Sequence, residues 1–430
     1  MDKTTVIVAD DLTGACDTAL QYFKSGRRAK VVIDESDIPE NLSDSDVWSV
    51  STESRNIPKE EASQKVIDIS VKLKEILKAE KFFKKIDSTL RGNVGVEIVS
   101  VLDALNKDIA IVAPAYIEEE RATIGGFQLL RGVPIERTQC ALDPKAPIYE
   151  SYIPDIIKRD LNEKFSELID IIDFKTVTKG AGPITLKINE LVQKGKRIII
   201  VDAVSNTDLE QIALATKKCG YDVLPCASAG LAGAFNKITD GNVINRDNID
   251  IPNIQKLIVS GSATKLTASQ ILKLKENKNI FAVDLTVKDI LGTEIEELSE
   301  LISEKLKSGL DVVVHTSEIN NQINEEEISN LLIDAGIAKN ELSSKITDYL
   351  SDLVYEINFK NNFILVLIGG ETSHKCLTKI NSGVLNILDA ISLNIPLCKD
   401  VNEKIIVTKS GNFGTQNTLV EILNYFDRLK

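Results

Sequence analysis

Short β-branched runs alternate with longer stretches that carry apolar residues at helical spacing, and this alternation constrains the chain more than any single residue. Runs at 5–8, 30–33, 47–50, 82–86, 109–112, 197–201 and 223–225 predict strands in the first half, and 60–79 reads as an intervening helix. A second series follows at 256–259, 280–285, 311–315, 363–368 and 405–408. Strands separated by helix-length segments pair in parallel, because a parallel connection needs a crossover long enough to return the chain to the same end. The expected architecture is therefore α/β. With 430 residues and 43% hydrophobic content, the chain exceeds what one core organises and can fill two. The Asn/Asp-rich stretch 240–253, with Pro252 near its end, reads as the linker, giving domains 1–245 and 246–430. Each is expected to be a mainly parallel sheet flanked by helices, with the active site in the cleft between them. Residues 115–152, rich in Gly, Pro and charge, read as an irregular excursion beside the first sheet.

A formal net charge of -13 argues against general binding to nucleic acid or anionic membranes, which reward a basic surface. No apolar run is long enough to span a bilayer, and Met1-Asp2-Lys3 leads straight into the first strand without a signal-peptide pattern, so a cytoplasmic location is expected. The six cysteines, Cys16, Cys140, Cys219, Cys226, Cys376 and Cys398, form no CxxC pair and are expected as reduced thiols. Only His315 and His374 are present, which leaves acid–base chemistry mainly to carboxylates and lysines.

Three kinds of strand end carry chemistry. Ala9-Asp10-Asp11-Leu12-Thr13-Gly14 places two carboxylates where a strand gives way to a helix, a position suited both to capping and to gripping hydroxyls. Adjacent residues point opposite ways, so one caps and the other faces the ligand. Lys84-Lys85-Ile86-Asp87-Ser88-Thr89-Leu90-Arg91-Gly92-Asn93 loads the next strand end with groups that suit an acidic polyol. In it Arg91 is a fork for a carboxylate, Lys85 a point charge, and Asp87, Ser88 and Asn93 partners for hydroxyls. In the second half, Ser260-Gly261-Ser262, Gly369-Gly370-Glu371-Thr372 and Lys409-Ser410-Gly411-Asn412-Phe413-Gly414 are small-residue turns of the type that lets backbone N–H groups approach phosphate oxygens. The chain has no GxxxxGK[ST] loop, no complete GxGxxG fingerprint and no GxSxG elbow, which disfavours a Walker ATPase, a nicotinamide dehydrogenase and a serine hydrolase.

Taken in order, ADDLTGACDTA at 9–19, KKIDSTLRGNVGVEI at 84–98, APAYIEEERATIGGFQLLRGVPIERT at 113–138, SAGLAGAF at 228–235, VSGSAT at 259–264, IGGETS at 368–373 and TKSGNFG at 408–414 closely resemble the four-carbon acid sugar kinase family. The resemblance covers nearly the whole chain. It implies phosphorylation of threonate, erythronate or a 3-oxo-tetronate-type acid by ATP, with the acid on the N-terminal domain and the nucleotide on the C-terminal one. Asp11, Arg55, Lys85, Ile86, Asp87 and Ser88 would then line the acid pocket, and Ser260, Gly369, Gly370, Glu371, Thr372 and Gly414 would contact ATP. Side-chain chemistry adds Asp10, Arg91 and Asn93 to the first set and Lys409 and Gly411 to the second. The chain departs from the family in having Glu371 where Asp is frequent, Asn412 where a second Gly is frequent, and Ala122-Thr123 where a Thr-Thr pair is frequent. The extra methylene of Glu371 bears on how Mg²⁺ would be held.

These readings lead to an ATP- and Mg²⁺-dependent kinase in which Asp11 orients or deprotonates the acceptor hydroxyl, Asp10 caps the helix, and Lys85 or Lys409 neutralises the transferring group. The alternatives are a non-catalytic sensor of sugar acids or nucleotides and a two-domain hydroxyacid dehydrogenase. The identity of the acid and the oligomeric state are left open.

Overall fold

A computed structural model of the chain describes residues 4–40, 44–79, 81–143, 145–161, 163–238, 251–262, 264–292, 294–316, 325–338 and 341–429. The chain divides into two compact units, Met1–Asn245 and Arg246–Lys430. Most of the stretch expected as a linker, residues 240–250, lies outside the described residues.

In the first unit the strands are β1 (Thr5–Ala9), β2 (Ala29–Val32), β3 (Val47–Ser51), β4 (Lys81–Lys85), β5 (Ile109–Ala113), β6 (Arg121–Ile124), β7 (Phe127–Leu130), β8 (Val133–Pro134), β9 (Ile169–Ile172), β10 (Ile198–Val201) and β11 (Val223–Ala227). The main sheet runs β2-β3-β1-β4-β11-β5-β10-β9, with every pair parallel. Its central strands are buried on both faces. The sequence of β1, Thr-Val-Ile-Val-Ala, is accordingly a continuous apolar run rather than an alternation. The helix Leu12–Lys24 follows β1 and lies against the helix Ala229–Lys237. From β1 the chain proceeds to β2 and β3 on one side and then crosses to β4 on the other. The carboxyl ends of β1 and β4 thus meet at a topological switch point, where open α/β sheets form their binding crevices.

The second unit adds β12 (Lys256–Ser260), β13 (Ile280–Asp284), β14 (Asp311–His315), β15 (Ile364–Ile368), β16 (Val384–Ser392), β17 (Ile395–Lys399) and β18 (Ile405–Lys409). Its order is β13-β14-β12-β15-β18-β17-β16, parallel as far as β18 and antiparallel from β18 to β16. One face of this sheet, through Ile258, Val313, Val366 and Val407, packs on Ile271 and Leu274 of the helix Lys265–Asn277 and on Leu419, Ile422 and Phe426 of the helix Thr418–Asp427.

The α/β architecture expected from the alternation is present in both units. The excursion at 115–152 is not irregular, however: β6, β7 and β8 form a small antiparallel sheet. Its first turn, Gly125-Gly126, has both residues at positive φ (60° and 78°), a conformation that fits the twist of a tight hairpin. The hairpin is fastened to the unit by Asp202, whose carboxylate accepts from the Gly125 and Gly126 amides at 2.7 and 2.9 Å. The strands β9, β16 and β17 were also not anticipated. All six cysteines are buried and none is in a disulfide. Among the described residues, no helix is long and apolar enough to cross a membrane.

Candidate functional site

Register brings Ser51 of β3, Ala9 of β1 and Lys85 of β4 abreast, so the segments that leave these strands emerge side by side at one edge of the first sheet. Arg55 is the hub of the cluster that forms there. Its Nε and one terminal nitrogen donate to the two oxygens of Asp10 at 2.8 and 3.1 Å, and its other terminal nitrogen donates to Asp11 Oδ2 at 2.9 Å. Asp87 Oδ1 lies 3.8 Å from the same guanidinium. Burial alone would raise the Asp10 pKa, but Arg55, helped by Lys84 and Lys85, outweighs it and holds the carboxyl below the usual range.

The division of labour expected within the Asp pair is corrected by the structure. Asp11, not Asp10, is the helix cap: its backbone is extended, its Oδ1 accepts the Gly14 amide at 2.9 Å, and its Oδ2 accepts the Thr13 hydroxyl at 2.9 Å. Asp10 is instead spent on a two-toothed ion pair. Strand alternation does place the two carboxylates differently, but the helix starts one residue later than the capping expectation assumed.

Arg91 also differs from expectation. Its Nε and one terminal nitrogen donate to Asp87 at 2.8 and 3.2 Å, and the other terminal nitrogen donates to Asp143 at 3.0 Å. The fork expected for a ligand carboxylate is therefore filled by the protein's own carboxylates. Burial would push Asp87 up, but Arg91 and Arg55 hold it well below the usual carboxylate range. Asn93 likewise serves the backbone, donating to the Ser54 and Ile57 carbonyls at 2.8 and 2.9 Å. Ile86 is buried, its amide donating to Ala227 O at 3.0 Å.

Lysines 84 and 85 take opposite faces of the strand, as neighbouring strand residues must. Lys84 is fully buried against Glu97, with Nζ 2.7 Å from the carboxylate. Lys85, only 4% exposed, lies at the carboxyl edge, and among the described residues its Nζ makes a single hydrogen bond, to the Ile86 carbonyl at 3.0 Å. Gly14 makes room for it. A Cβ there would lie 2.8 Å from Lys85 Nζ and 2.6 Å from Asp11 Oδ1, too close for any side chain. The hydroxyl of Ser88 has no hydrogen-bond partner among the described residues, while its carbonyl accepts from Gln128 Nε2 of β7 at 2.6 Å.

Two carboxyls at this edge were missed from the sequence. Glu53 has a left-handed backbone (φ 45°), and its Oε1 accepts from Ser51 Oγ at 2.7 Å and from the Leu12 amide at 2.8 Å. Burial, reinforced by Asp11, pushes its pKa up to about 8. Asp17, on the second turn of the helix after β1, is 4% exposed, and its Oδ1 has no hydrogen-bond partner among the described residues. Burial raises it to about 7 against the opposing pull of Lys85. The Thr52-Glu53-Ser54-Arg55 run directly after a strand was a usable signal for Glu53. Asp17 lay inside a helix pattern and gave none.

In the second unit, register places Ser260 opposite Ile368 and Ile368 opposite Lys409, so the three small-residue turns leave neighbouring parallel strands together. Gly369 has φ +104°, a conformation that L side chains rarely adopt, and it directly precedes the helix Gly370–Lys379. Among the described residues no side chain caps that helix, which leaves its first amides without a side-chain partner at the turn. Thr372 lies beside both turns, since a Cβ on Gly261 would come within 2.7 Å of its Oγ1. Glu371 Oε1 accepts from Thr347 Oγ1 at 3.2 Å. Lys409 is 1% exposed and donates from Nζ to the Ser410 carbonyl at 2.7 Å. The loop that contains Gly411 and Gly414 is held from the helix Lys265–Asn277. Thr264 and Thr267 hydroxyls donate to Gly411 O at 3.0 and 2.9 Å, and Gln270 Nε2 donates to Thr415 O at 2.7 Å. These three holders were not among the residues expected at the site.

Comparison with known proteins follows the same division. A family model described as a sugar-binding N-terminal domain matches residues 5–235, and one described as a nucleotide-binding C-terminal domain matches residues 257–419. The chain is 28% identical to a D-threonate kinase of Salmonella typhimurium, over 99% of this chain and 98% of that protein. It is also 28% identical to a D-erythronate kinase of Heliobacterium modesticaldum (98% and 97% covered) and 26% identical to a 3-oxo-tetronate kinase of Haemophilus influenzae (96% and 97% covered). Among solved structures, a Salmonella typhimurium LT2 protein superposes with a TM-score of 0.80 at 19% identity, covering 97% of this chain and 98% of that one. A Haemophilus influenzae protein superposes with a TM-score of 0.72 at 22% identity, covering 98% and 100%. With a sugar-binding domain model over more than half of its length, a nucleotide-binding model over its second unit and near-complete alignment to these relatives, the chain belongs to the four-carbon acid sugar kinase family.

Proposed function

We propose that the protein transfers the γ-phosphoryl group of ATP to a hydroxyl of a four-carbon sugar acid of the threonate, erythronate or 3-oxo-tetronate type. The observation that carries this reading is the saturation of the first-unit cluster. Asp10, Asp11, Asp87, Arg55 and Arg91 satisfy one another, while among the described residues a buried Lys85 ammonium keeps two N–H groups unspent and Ser88 keeps its hydroxyl. A buried cation with unspent donors calls for an anion, and a rigid surround of carboxylates and a hydroxyl calls for an anion that carries hydroxyl groups.

Lys85 takes the role first expected of Arg91 and meets the acid or the group being transferred to it. Asp11 and Asp10, fixed by Arg55, orient the hydroxyls, with Asp87 and Ser88 at the same edge. In the second unit the amides around Gly369 and Gly370, with Ser260, Thr372, Gly411 and Gly414, form the cradle for the nucleotide phosphates, and Lys409 supplies charge. Mg²⁺ on a nucleotide is held mostly by phosphate oxygens and water with one or two carboxylates, and the donor set fits: Glu371 stands at the open helix N-terminus beside Thr372. The metal would supply charge neutralisation on the phosphates.

The test is ADP release measured with Mg·ATP and a panel of four-carbon sugar acids. Release that depends on one or more of the acids is expected. A protein that binds acids yet releases no ADP with any of them is a sensor, and that result would refute the kinase reading.

A further inference from the structure

Phosphoryl transfer to an alcohol needs somewhere for the hydroxyl proton to go, and the aspartates at the site are poorly placed to take it. Asp10 is gripped through both oxygens by Arg55, and Asp87 is gripped through both by Arg91. Asp11 caps the helix through Oδ1 and meets Arg55 and Thr13 through Oδ2. Asp10 and Asp87 are held below the ordinary carboxylate range by these arginines and are weak bases, while both oxygens of Asp11 are already occupied.

Glu53 is built differently. Its Oε1 is held by Ser51 Oγ and the Leu12 amide, which fixes the carboxyl at the mouth of the helix after β1, and its Oε2 has no partner among the described residues. A non-glycine residue held at φ 45°, two residues beyond the end of β3, is a costly conformation, of the kind that persists where a side chain must be aimed. The charged groups facing it are Asp11, which disfavours its ionisation, and Arg55, which favours it.

Resting on the kinase reading above, we propose that Glu53, not Asp11, is the residue that accepts the proton of the acceptor hydroxyl, through its open Oε2. The hydroxyl oxygen forms a bond to the γ-phosphorus of the nucleoside triphosphate while the bond from that phosphorus to the bridging oxygen breaks. The electron pair leaves on the diphosphate, and the hydroxyl proton passes to Glu53 and then to water. A base with a pKa near 8 suits this task better than one held far below neutrality, since basicity and availability are balanced near the working pH.

The experiment is the pH profile of kcat/KM for ADP release by the full chain, with acid binding measured separately by calorimetry. The wild type should show an ascending limb as Glu53 ionises. In Glu53→Gln, which keeps an acceptor for Leu12, kcat should fall by about 10²–10⁴-fold and the limb should vanish, with acid affinity changed less than about threefold. Two neighbours should move the limb in opposite directions without abolishing it. Ser51→Ala removes a bond that favours the ionised form and shifts it to higher pH, whereas Asp11→Asn removes a repelling charge and shifts it lower. A Glu53→Gln protein with kcat within threefold of wild type, or an Asp11→Asn protein that loses the limb altogether, overturns the assignment to Glu53 and leaves the kinase intact. Absence of turnover by the wild type with every acid overturns both.

Discussion

Asp17→Asn tests whether the fold keeps a carboxyl neutral beside the sugar-acid site. Asp17 is buried and its Oδ1 has no partner among the described residues, and burial raises its pKa from an ordinary 3.8 to about 7. The folded state therefore prefers the protonated acid, while the unfolded chain ionises freely above pH 4. Stability linked to Asp17 is fully present below about pH 4, falls as pH rises, and is lost by about pH 7. A carboxyl moved from 3.8 to about 7 corresponds to at most roughly 4 kcal/mol, at 1.36 kcal/mol per pH unit. Asparagine is neutral throughout and escapes this loss. Its new amide N–H₂ costs about 1–3 kcal/mol if it finds no acceptor, but that offset does not vary with pH. The difference in unfolding free energy between variant and wild type should thus climb in the variant's favour between pH 4 and 7 and then level off. Urea denaturation of both proteins at several pH values from 4.5 to 8.5 measures it. A difference that stays flat across the window would refute the reasoning, since it would mean that Asp17 ionises in the folded protein as readily as in the unfolded one.

Other substitutions probe the rest of the network. Arg55→Ala leaves Asp10 and Asp11 buried without their shared counter-ion and should cost about 3–5 kcal/mol in urea denaturation, with smaller loss in an Arg55→Ala/Asp10→Asn double variant. Lys85→Met should lower acid affinity at least tenfold by calorimetry while changing stability little, because among the described residues its Nζ makes only one hydrogen bond; an unchanged affinity would remove Lys85 from the site. Gly369→Ala should weaken ATP binding about tenfold and leave acid binding to the first unit intact, because a backbone at φ +104° costs an L residue about 1–3 kcal/mol and the space itself is open, with Thr372 Oγ1 no closer than 3.5 Å. Equal ATP affinity in that variant would place the phosphates elsewhere.

The fold was legible wherever a strand is a continuous apolar run between turn residues, as in β1, β5 and β15, because burial on both faces leaves nothing to alternate. It was less legible where pairing is antiparallel. The strand Val384–Ser392 does bury alternate residues at first, but register shifts between Ile387 and Asp389 and again between Ala390 and Ser392 break its phase, which blurs a period-2 pattern. The β6–β7 hairpin had a usable signal in Gly125-Gly126 between two runs of strand formers, and it was overlooked because the surrounding segment is charged. Edge strand β9 is four residues long with Asp170 inside it, too short and too polar to stand out.

At the site, residue types were readable from sequence but their allegiances were not. An arginine beside an aspartate run looks the same whether it awaits a ligand or grips Asp143, 52 residues further along the chain, and only the fold decides. The same holds for the Asp10-Asp11 pair, where a helix beginning one residue later exchanges cap and ion pair. What the fold adds is a charge balance. Three cations, Arg55, Arg91 and Lys85, stand among the aspartates 10, 11, 87 and 143, so an anionic substrate entering this edge gains little from net charge alone. Were Asp17 ionised as well, the edge would carry a further negative charge. Burial keeps that carboxyl from ionising readily, up to about pH 7. A chain of net charge -13 can in this way limit the negative charge that an anion meets at this edge, through a carboxyl that is an acid in composition yet largely neutral in place.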